Sequence, residues 1–392
     1  MHRYYADLHI HIGSAQGRAV KITASRHLTL HKVLFQDAPR KGLDIVGIVD
    51  TGSPLVSAEM EAMLTEGSLQ ELAGGGFLAN NGVLLVAGCE IETCEGIHVI
   101  IYLPDLKSIR TLQKYLHTRV KNPNLSTQAA RCSTLDLINL NVLLDGIFCP
   151  AHVFTPHKGI YGCWTRRWAD VLGRQSRQIK VLELGLSADT DMADCIAETR
   201  PVSFLSNSDA HSSGNIGREF NLLRMQNKNF EELRLCLYKS SGRNVAANFG
   251  MDPLLGKYHR TYCNKCRRIA VEEAPILKCP VCGGTDVVMG VYDRIVSIRD
   301  YDEPHHPVGR PLYRYRVPLK DLPGVGPRTL QSLWQAFSSE IDILENAPME
   351  RIAKVGGARL AALILGMRKG RLNIQAGGGG YYGKVLKGDG EH

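Results

Sequence analysis

The sequence predicts an α/β fold, followed by a small cysteine-rich unit and a helical C-terminal region. In residues 1–255, short apolar runs of strand length alternate with longer amphipathic segments, which is typical of a parallel sheet or a barrel with helices outside. Two C-x-x-C pairs then break this rhythm, and helix-like segments joined by glycine turns follow residue 317. In α/β folds, functional side chains collect at the carboxyl ends of the strands.

The alternation in residues 1–255 gives six candidate strands and three candidate helices. The strands are predicted at Ile45–Val49, Val83–Val86, His98–Tyr102, Gly146–Pro150, Lys180–Leu184 and Ser203–Ser206. The helices are predicted at Leu28–Lys41, Leu106–Val120 and Leu135–Leu144. We expect a cytoplasmic protein that does not span a membrane, because no run of 18 uncharged apolar residues occurs and the first residues, MHRYYADLHIHIGS, lack the pattern of a secretory signal.

The remaining chain divides into three further units. Residues 256–300 contain the clustered cysteines, and residues 318–392 contain the helical segments and a glycine-rich tail. Between them, residues 301–317 are rich in proline, polar and aromatic side chains and show neither a helical nor a strand period, so we interpret them as a linker or an ordered crossover.

Histidines and acids stand at the ends of the predicted strands. Asp7, His9 and His11 come first, and alternation along an extended segment puts all three on one face. The others are Asp50, Glu90, His98, His152, His157, Glu183, Asp209 and His211. One such histidine alone is usually a hydrogen-bonded core residue, but so many at strand ends predict a metal site. Imidazoles with carboxylates suit Zn²⁺ or Mn²⁺, and a glutamate between histidines can bridge two ions.

These residues lie in motifs that resemble those of the polymerase and histidinol phosphatase (PHP) superfamily. The motifs are D-L-H-I-H at 7–11, G-C-E-I at 88–91 with His98, A-H at 151–152 and S-D-A-H at 208–211. The resemblance implies an irregular α/β barrel that hydrolyses phosphoesters. It implies one metal ion held by His9, His11, Glu90 and Asp209, and a second held by Glu90, His98 and His152. We assign catalytic roles to Asp209, Glu90 and Asp50.

The chain departs from the PHP pattern at the residues of a third metal ion beside His211. Family members commonly have a D-H pair where this chain has Asp50 and Thr51, and another histidine where it has Gly17. The third site is therefore either absent, or Asp50 replaces the missing imidazole and favours a harder cation. The catalytic ions are then Zn²⁺, Mn²⁺ or Mg²⁺. Two such ions can activate a water molecule and stabilise the leaving oxygen of a phosphodiester, so that no protein nucleophile is needed.

Four cysteines in the second unit predict a tetrahedral Zn²⁺ site. They are Cys263, Cys266, Cys279 and Cys282, and two glycines after the second pair permit a tight turn. A structural zinc ribbon is favoured over a redox or catalytic site, because protein thiolates fill all four coordination positions. The other seven are expected to be reduced, mostly core residues: Cys89, Cys94, Cys132, Cys149, Cys163, Cys195 and Cys236.

The C-terminal region carries most of the net positive charge. Residues 1–255 contain 26 basic and 25 acidic side chains, whereas the last 137 residues contain 21 and 14. This imbalance fits a module that meets a polyanion, although a basic surface exposed only to solvent is the alternative.

Glycine turns in this region resemble the helix-hairpin-helix motif, which holds the DNA backbone. Gly324 and Gly326 let the backbone approach a phosphate, and a helix beginning near Pro327 offers free N–H groups. Arg328 in its first turn is unfavourable for the helix dipole unless it faces an anion. Residues 349–370 resemble a second, degenerate copy. The tail Gly377–Tyr382 is interpreted as a flexible end, the alternative being a backbone that closes over a flipped base with tyrosine stacking.

A PHP-like domain, a zinc ribbon and a helix-hairpin-helix region in this order are similar to the endonuclease Q family. The resemblance implies cleavage of DNA on the 5′ side of deaminated bases (uracil, hypoxanthine, xanthine) and of abasic sites, with a sliding-clamp protein as a candidate partner. The residues themselves indicate a metal-dependent DNA phosphodiesterase. Two alternatives remain. A small-molecule phosphomonoesterase would leave residues 256–392 without a role, and a non-catalytic DNA-binding protein would not need the intact metal residues.

Overall fold

The computed structural model of the chain describes residues 1–386. The strands of this part are β1 (His2–Ile10), β2 (Ser14–Ala15), β3 (Arg18–Ala19), β4 (Ile45–Ile48), β5 (Leu69–Glu71), β6 (Phe77–Ala79), β7 (Leu84–Glu92), β8 (His98–Leu103), β9 (Ile147–Pro150), β10 (Val181–Glu183), β11 (Ser203–Leu205), β12 (Phe220–Met225), β13 (Asn244–Gly250), β14 (Tyr262–Cys263), β15 (Arg268–Ile269), β16 (Val287–Val288), β17 (Leu312–Tyr315), β18 (Ile374–Gln375) and β19 (Lys384–Val385). The α-helices are α1 (Leu30–Lys32), α2 (Ala38–Lys41), α3 (Pro54–Thr65), α4 (Leu106–His117), α5 (Thr134–Leu143), α6 (Trp168–Leu172), α7 (Thr190–Ala193), α8 (Phe230–Leu237), α9 (Val291–Ile298), α10 (Pro327–Ala336), α11 (Glu340–Glu345), α12 (Met349–Gly356) and α13 (Ala358–Arg368). Within residues 1–386, none of these helices has the length and apolar content needed to cross a membrane.

A mixed sheet forms the centre of the α/β domain. Its strand order is β17-β13-β12-β1-β4-β7-β6-β5, and β8 and β9 extend it from the other end of β7. The strands β1, β4 and β7 are parallel, whereas β8 is antiparallel to both of its neighbours, β7 and β9. The short connection 93–97 explains why β7 and β8 are antiparallel, because parallel strands need a crossover of a dozen residues or more. The parallel arrangement that the sequence predicts therefore holds only in part.

The strands curve into an irregular α/β barrel that does not close by continuous pairing. The strands β10 and β11 form a separate parallel pair. This pair lies between β9 and β13 and fills the gap in the wall. One apolar cluster takes side chains from β1, β4, each strand from β7 to β13, and α8, including Leu8, Tyr102 and Phe230, and so occupies the barrel interior. The predicted fold class is confirmed.

All six predicted strands are present, with changes at their ends. The largest change is in β7, which continues to Glu92, so that Glu90 lies within the strand and not after it. The predicted helix Leu28–Lys41 is interrupted by a π-helical turn at Val33–Asp37. Pro39, at the start of α2, lacks the N–H group that a continuous α-helix would use there. The helix α4 begins as predicted, because the carboxylate of Asp105 accepts the Ser108 N–H at 2.7 Å.

The segment 301–317 packs against the α/β domain. It contains a strand that the lack of a strand period in the sequence does not indicate: β17 (Leu312–Tyr315) pairs in parallel with β13 at the edge of the sheet. The guanidinium of Arg310 is buried and makes two hydrogen bonds to Asp194, at 2.7 and 2.9 Å. A buried, paired arginine of this kind fixes the segment in place.

The four clustered cysteines lie together beside a three-stranded sheet of β15, β14 and β16. Cys263 Sγ lies 3.8 Å from Cys282 Sγ, and Cys266 Sγ lies 3.7 Å from Cys279 Sγ. Thiolates of a tetrahedral site with Zn–S bonds of about 2.3 Å are about 3.8 Å apart. Backbone N–H groups of Cys282 and Val281 lower the pKa of the Cys279 thiol, whereas hydrogen bonds with the neighbouring sulfur atoms raise the pKa of Cys266. The cluster thus favours a thiolate at Cys279. The four cysteines could therefore hold a zinc ion.

The C-terminal region is helical, but its two hairpins differ from the prediction. In the first, the segment before the turn is only a single 3₁₀ turn at Leu319–Asp321, and α10 follows. In the second, which the sequence shows as degenerate, two full helices, α12 and α13, flank Gly357. Gly357 has a φ of 91°, which a residue with a side chain rarely adopts. The second copy is thus the more complete one in its helices.

A buried ion pair joins the C-terminal helices to the α/β domain. Lys41 Nζ, at the end of α2, lies 2.7 Å from Glu340 Oε2 in α11, and both side chains are less than a tenth exposed. Ile341 of α11 also belongs to the apolar core of the α/β domain. The two regions therefore share one interface.

We expect Glu340→Leu to destabilise the protein by about 3 kcal/mol, because it leaves the Lys41 ammonium buried without a partner. Chemical denaturation monitored by fluorescence measures this change. The double variant Lys41→Met/Glu340→Leu is the matched control and should recover most of the loss. Equal stability of the single variant and the wild type would contradict the assignment of a buried ion pair.

We expect Cys279→Ser to release one zinc ion per chain and to lower the melting temperature, because a unit of this size is held mainly by its metal. Metal analysis by mass spectrometry and a thermal melting curve measure the two effects. Cys94→Ser, which changes an exposed thiol outside the cluster, should leave both unchanged. Full zinc content in Cys279→Ser would argue against a four-cysteine site.

Candidate functional site

The predicted metal ligands meet at one end of the barrel. The strand β1 ends at Ile10 beside β4, and its register shifts between Asp7 and Ile10. His9 and His11 extend from this irregular end into the site. Asp7 is not part of the site, because its carboxylate accepts the N–H groups of Ser208 and Gly217 at 3.1 and 2.9 Å.

The ligand atoms form three overlapping groups. His9, His11 and Glu90 make the first, Glu90, His98 and His152 the second, and His11, Asp209 and His211 the third. Within each group the ligand atoms lie within 4.8 Å of one another. The Nε2 atoms of His9 and His11 lie 3.3 Å apart, and each lies 3.5 Å from Asp209 Oδ1. Glu90 belongs to two groups, as a bridging carboxylate would.

Two buried carboxylates orient the first two histidines. Glu183 Oε2 lies 2.9 Å from His9 Nδ1, and Asp50 Oδ1 lies 2.9 Å from His11 Nδ1. Each ring therefore presents Nε2 to the centre of the site, which is how carboxylates support histidine ligands in metal sites. The other Asp50 oxygen accepts the backbone N–H of Ile12. The structure thus places Asp50 behind His11, with one oxygen on the ring and the other on the backbone.

The charges of the site favour a bound cation. Burial raises the pKa of Glu90, but the nearby His98 and Lys21 hold it well below its usual range, so the carboxylate is ionised. Burial lowers the pKa of His9, yet the carboxylates of Glu183 and Asp209 raise it to about 9. The carboxylates around His9 therefore stabilise positive charge. The donor set of imidazole nitrogens and carboxylate oxygens fits Zn²⁺ or Mn²⁺. Divalent ions would also neutralise the negative charge of the carboxylates in the site.

Two of the predicted ligands lie in strained backbone. His152 has a φ of 30° and Asp209 a φ of 45°, in the left-handed region that residues with side chains rarely occupy. Gly185 packs against His152, and a Cβ atom at this position would lie 2.9 Å from the His152 Cβ atom. Such strain is held by surrounding structure and is common at functional sites.

A cavity of about 730 Å³ opens over the ligands. His11, Glu90 and Asp209 form its floor, and His157 also lines it. Lys257, Tyr258 and Tyr382, which come from outside residues 1–255, form part of its wall. The Lys257 ammonium lies 5.2 and 5.9 Å from the ring centres of Tyr258 and Tyr382, within cation–π range. The site is therefore built by distant parts of the chain.

The glycine-rich tail reaches this cavity. Gly377, Gly380 and Gly383 donate backbone hydrogen bonds to Leu254, Lys257 and Leu255 at 2.7 to 3.0 Å. The Tyr382 hydroxyl lies 3.0 Å from Arg218 Nη1. These contacts do not fit the interpretation of residues 377–382 as a flexible end. Glycine is required here because a Cβ atom at Gly379 would lie 2.4 Å from the Tyr262 ring.

The first glycine hairpin lies on the surface of the C-terminal region. Gly324 has a φ of 86°, and a Cβ atom at Gly324 or Gly326 would meet open space. The helix α10 begins after Gly326 with no side-chain cap, and Arg328 is exposed in its first turn. The turn therefore presents free backbone N–H groups beside a cation.

The sequence does not indicate the role of one residue of the site or the presence of several others. Glu183 carries the same signal as the ligands, a carboxylate at a strand end, but its supporting role depends on a contact across the barrel. Arg218, Lys257 and Tyr258 have no local signal, because they reach the cavity only through tertiary packing. Lys21 also lines the cavity, and its position follows from the loop after His11.

Comparisons with known proteins cover almost the whole chain. The chain is 42% identical over 391 residues to the protein YqxK of Bacillus subtilis, a match that spans 98% of this chain and all of that protein. The structure of a lesion-specific endonuclease from Pyrococcus furiosus, PfuEndoQ, is 31% identical with a TM-score of 0.84, and the match covers 99% of this chain and 96% of that one. No family model matches.

A second solved structure is similar to the same extent. It is a complex of endonuclease Q with a 27-mer duplex that has an abasic lesion at the active site. It is 32% identical to this chain with a TM-score of 0.85, and the match covers 99% of this chain and 97% of that one. Full-length identity at this level, together with the metal-ligand cluster, the four cysteines and the glycine hairpins, shows that the chain belongs to the endonuclease Q family.

Proposed function

We propose that this protein is a metal-dependent DNA repair endonuclease that cleaves on the 5′ side of deaminated bases and abasic sites. Uracil, hypoxanthine and xanthine are the deaminated bases. The observation that carries the proposal is the full-length similarity to endonuclease Q, whose structure holds a duplex with an abasic lesion at the active site. The ligand cluster on the cavity floor supplies the residues that such hydrolysis needs.

The residues divide into metal ligands and supporting groups. We propose that His9, His11, Glu90 and Asp209 hold one ion, that Glu90, His98 and His152 hold a second, and that His211 joins a further site with His11 and Asp209. Bound divalent ions would lower the pKa of water and neutralise charge on the phosphate. Glu183 and Asp50 keep the imidazoles in the orientation that presents Nε2. Arg218 and Lys257 add positive charge to the cavity wall, where a phosphate backbone would pass.

The cavity wall favours a polymeric substrate over a small phosphomonoester. Lys257, Tyr258 and Tyr382 lie beyond residue 255 and still line the cavity. Tyrosine rings in such a position can stack on an extruded base, and base extrusion costs less at a damaged pair. The exposed hairpin with Gly324, Gly326 and Arg328 would hold the flanking duplex by its backbone.

We expect the wild-type protein to cleave uracil-containing duplex DNA in single-turnover assays and to leave p-nitrophenyl phosphate almost unchanged. Asp209→Ala should abolish cleavage and keep DNA affinity within a few-fold, because it removes a metal ligand and leaves the basic C-terminal region intact. Glu183→Gln is the matched comparison, with a loss of roughly 10- to 100-fold expected for a residue that supports a ligand. Preferential hydrolysis of p-nitrophenyl phosphate, or cleavage by Asp209→Ala at the wild-type rate, would refute the proposal.

We expect Arg328→Ala to weaken binding to damaged and undamaged duplexes by the same factor and to reduce the slope of log affinity against log salt by about 1, as loss of one phosphate contact does. Fluorescence anisotropy over a range of salt concentrations measures both effects. Arg243→Ala, which removes an arginine paired with Glu232 in the α/β domain, should leave the slope unchanged. A loss confined to damaged DNA would instead place Arg328 in lesion recognition.

A further inference from the structure

One lysine side chain reaches the ligand cluster itself. Lys21 Nζ lies 3.3 Å from Glu90 Oε2, and the Lys21 side chain is only 12% exposed. Lys21 lines the same cavity as His11, Asp209 and His211. Lys21 thus forms an ion pair with the carboxylate that both proposed metal ions would share. With those ions bound, the ammonium would face like charge, and an anionic group at the site would offset it.

The other cations of the cavity have different partners. Lys158 is paired with Glu92, and Arg218 donates to the Ser208 carbonyl at 2.7 Å and contacts the Tyr382 hydroxyl. Lys257 faces tyrosine rings. Among the described residues, Lys21 is thus the cavity cation whose ammonium contacts a proposed metal ligand.

The loop that carries Lys21 is firmly anchored. The β2–β3 hairpin turns the chain back, so that the Lys21 N–H donates to the Ile12 carbonyl at 3.2 Å. Further along the loop, the Ser25 N–H donates to the His211 carbonyl at 2.8 Å. A Cβ atom at Gly13 would lie 1.8 Å from the Ser25 carbonyl oxygen, so the loop is tightly packed. The ammonium is therefore held beside the cluster before any substrate binds.

The same hairpin explains the departure from the PHP pattern. Gly17, which replaces a histidine, lies at the hairpin turn with a φ of 71° and has no side chain to offer. The Thr51 hydroxyl donates a hydrogen bond to the Gly88 carbonyl at 2.7 Å. Neither position therefore supplies a ligand, whereas Lys21 places an ammonium group beside Glu90.

We propose that the Lys21 ammonium binds a non-bridging oxygen of the scissile phosphate and so acts as a further catalytic residue. An ammonium is a compact charge with three donors, which suits a phosphate oxygen. Negative charge grows on these oxygens during hydrolysis, and a fixed donor in a cavity stabilises it without reorganisation. The inference rests on the proposed function in one respect, that the phosphate belongs to a DNA backbone. Binding of a phosphate group by Lys21 does not depend on it.

The first test is binding of inorganic phosphate to the metal-loaded protein by calorimetry. We expect Lys21→Met to weaken binding at least 10-fold with unchanged metal content and melting temperature, and Lys21→Arg to retain part of the affinity. Lys158→Met is the matched control from the same cavity wall and should bind phosphate as the wild type does. Unchanged phosphate affinity in Lys21→Met, or loss of metal from it, would overturn the proposal, because Lys21 would then only support Glu90.

The second test uses uracil-containing duplexes with one sulfur atom in place of either non-bridging oxygen at the scissile phosphate. We expect Lys21→Met to slow single-turnover cleavage of the normal duplex about 100-fold. The loss should be clearly smaller for the diastereomer whose sulfur replaces the oxygen that Lys21 contacts, whereas Lys158→Met should keep the wild-type ratio between diastereomers. An equal loss for both diastereomers would overturn the proposal. If the wild type cuts no DNA while phosphate binding still depends on Lys21, the proposed function fails and the role of Lys21 stands.

Discussion

Two buried imidazole–carboxylate pairs set the geometry of the site, and the other ligands are arranged around them. Glu183 and Asp50 each hold the Nδ1 atom of a histidine, so that the Nε2 atoms of His9 and His11 lie 3.3 Å apart and point at the same space. Charged groups without water are costly unless they are paired and hydrogen-bonded. The barrel end therefore needs both the carboxylates and a positive charge in their centre, and this requirement makes a cation an integral part of the site.

The arrangement of the sheet explains why these groups can meet. The strand β1 lies in the middle of the mixed sheet, between β12 and β4. Its last residues lie at the end of the barrel where the ligands meet. Glu183 reaches His9 across the barrel from β10, which belongs to a separate pair of strands. An irregular, incompletely paired barrel brings these elements close enough for direct contact and leaves one end open to a cavity.

The C-terminal units complete the site as well as extending it. The tail folds back to residues 254–257 and places Tyr382 beside Arg218. The pair of Lys41 and Glu340 joins the helical region to the α/β domain through a buried contact. A substrate that entered the cavity would therefore contact side chains from both ends of the chain, which is consistent with a long ligand held at several points.

The sequence alone indicated the fold class, the four-cysteine cluster and a set of metal-capable residues, because alternating apolar runs, C-x-x-C spacing and polar residues at strand ends are local signals. The family followed from the resemblance of its motifs. The sequence did not show that Asp50 lies behind His11, that Lys21 faces Glu90, or that Tyr382 lines the cavity. Nor did it show the strand at Leu312–Tyr315 or which hairpin has full helices. These features depend on contacts between residues far apart in the chain. Only the packing of the barrel and its C-terminal units decides them, because a side chain's orientation is set by its neighbours in space.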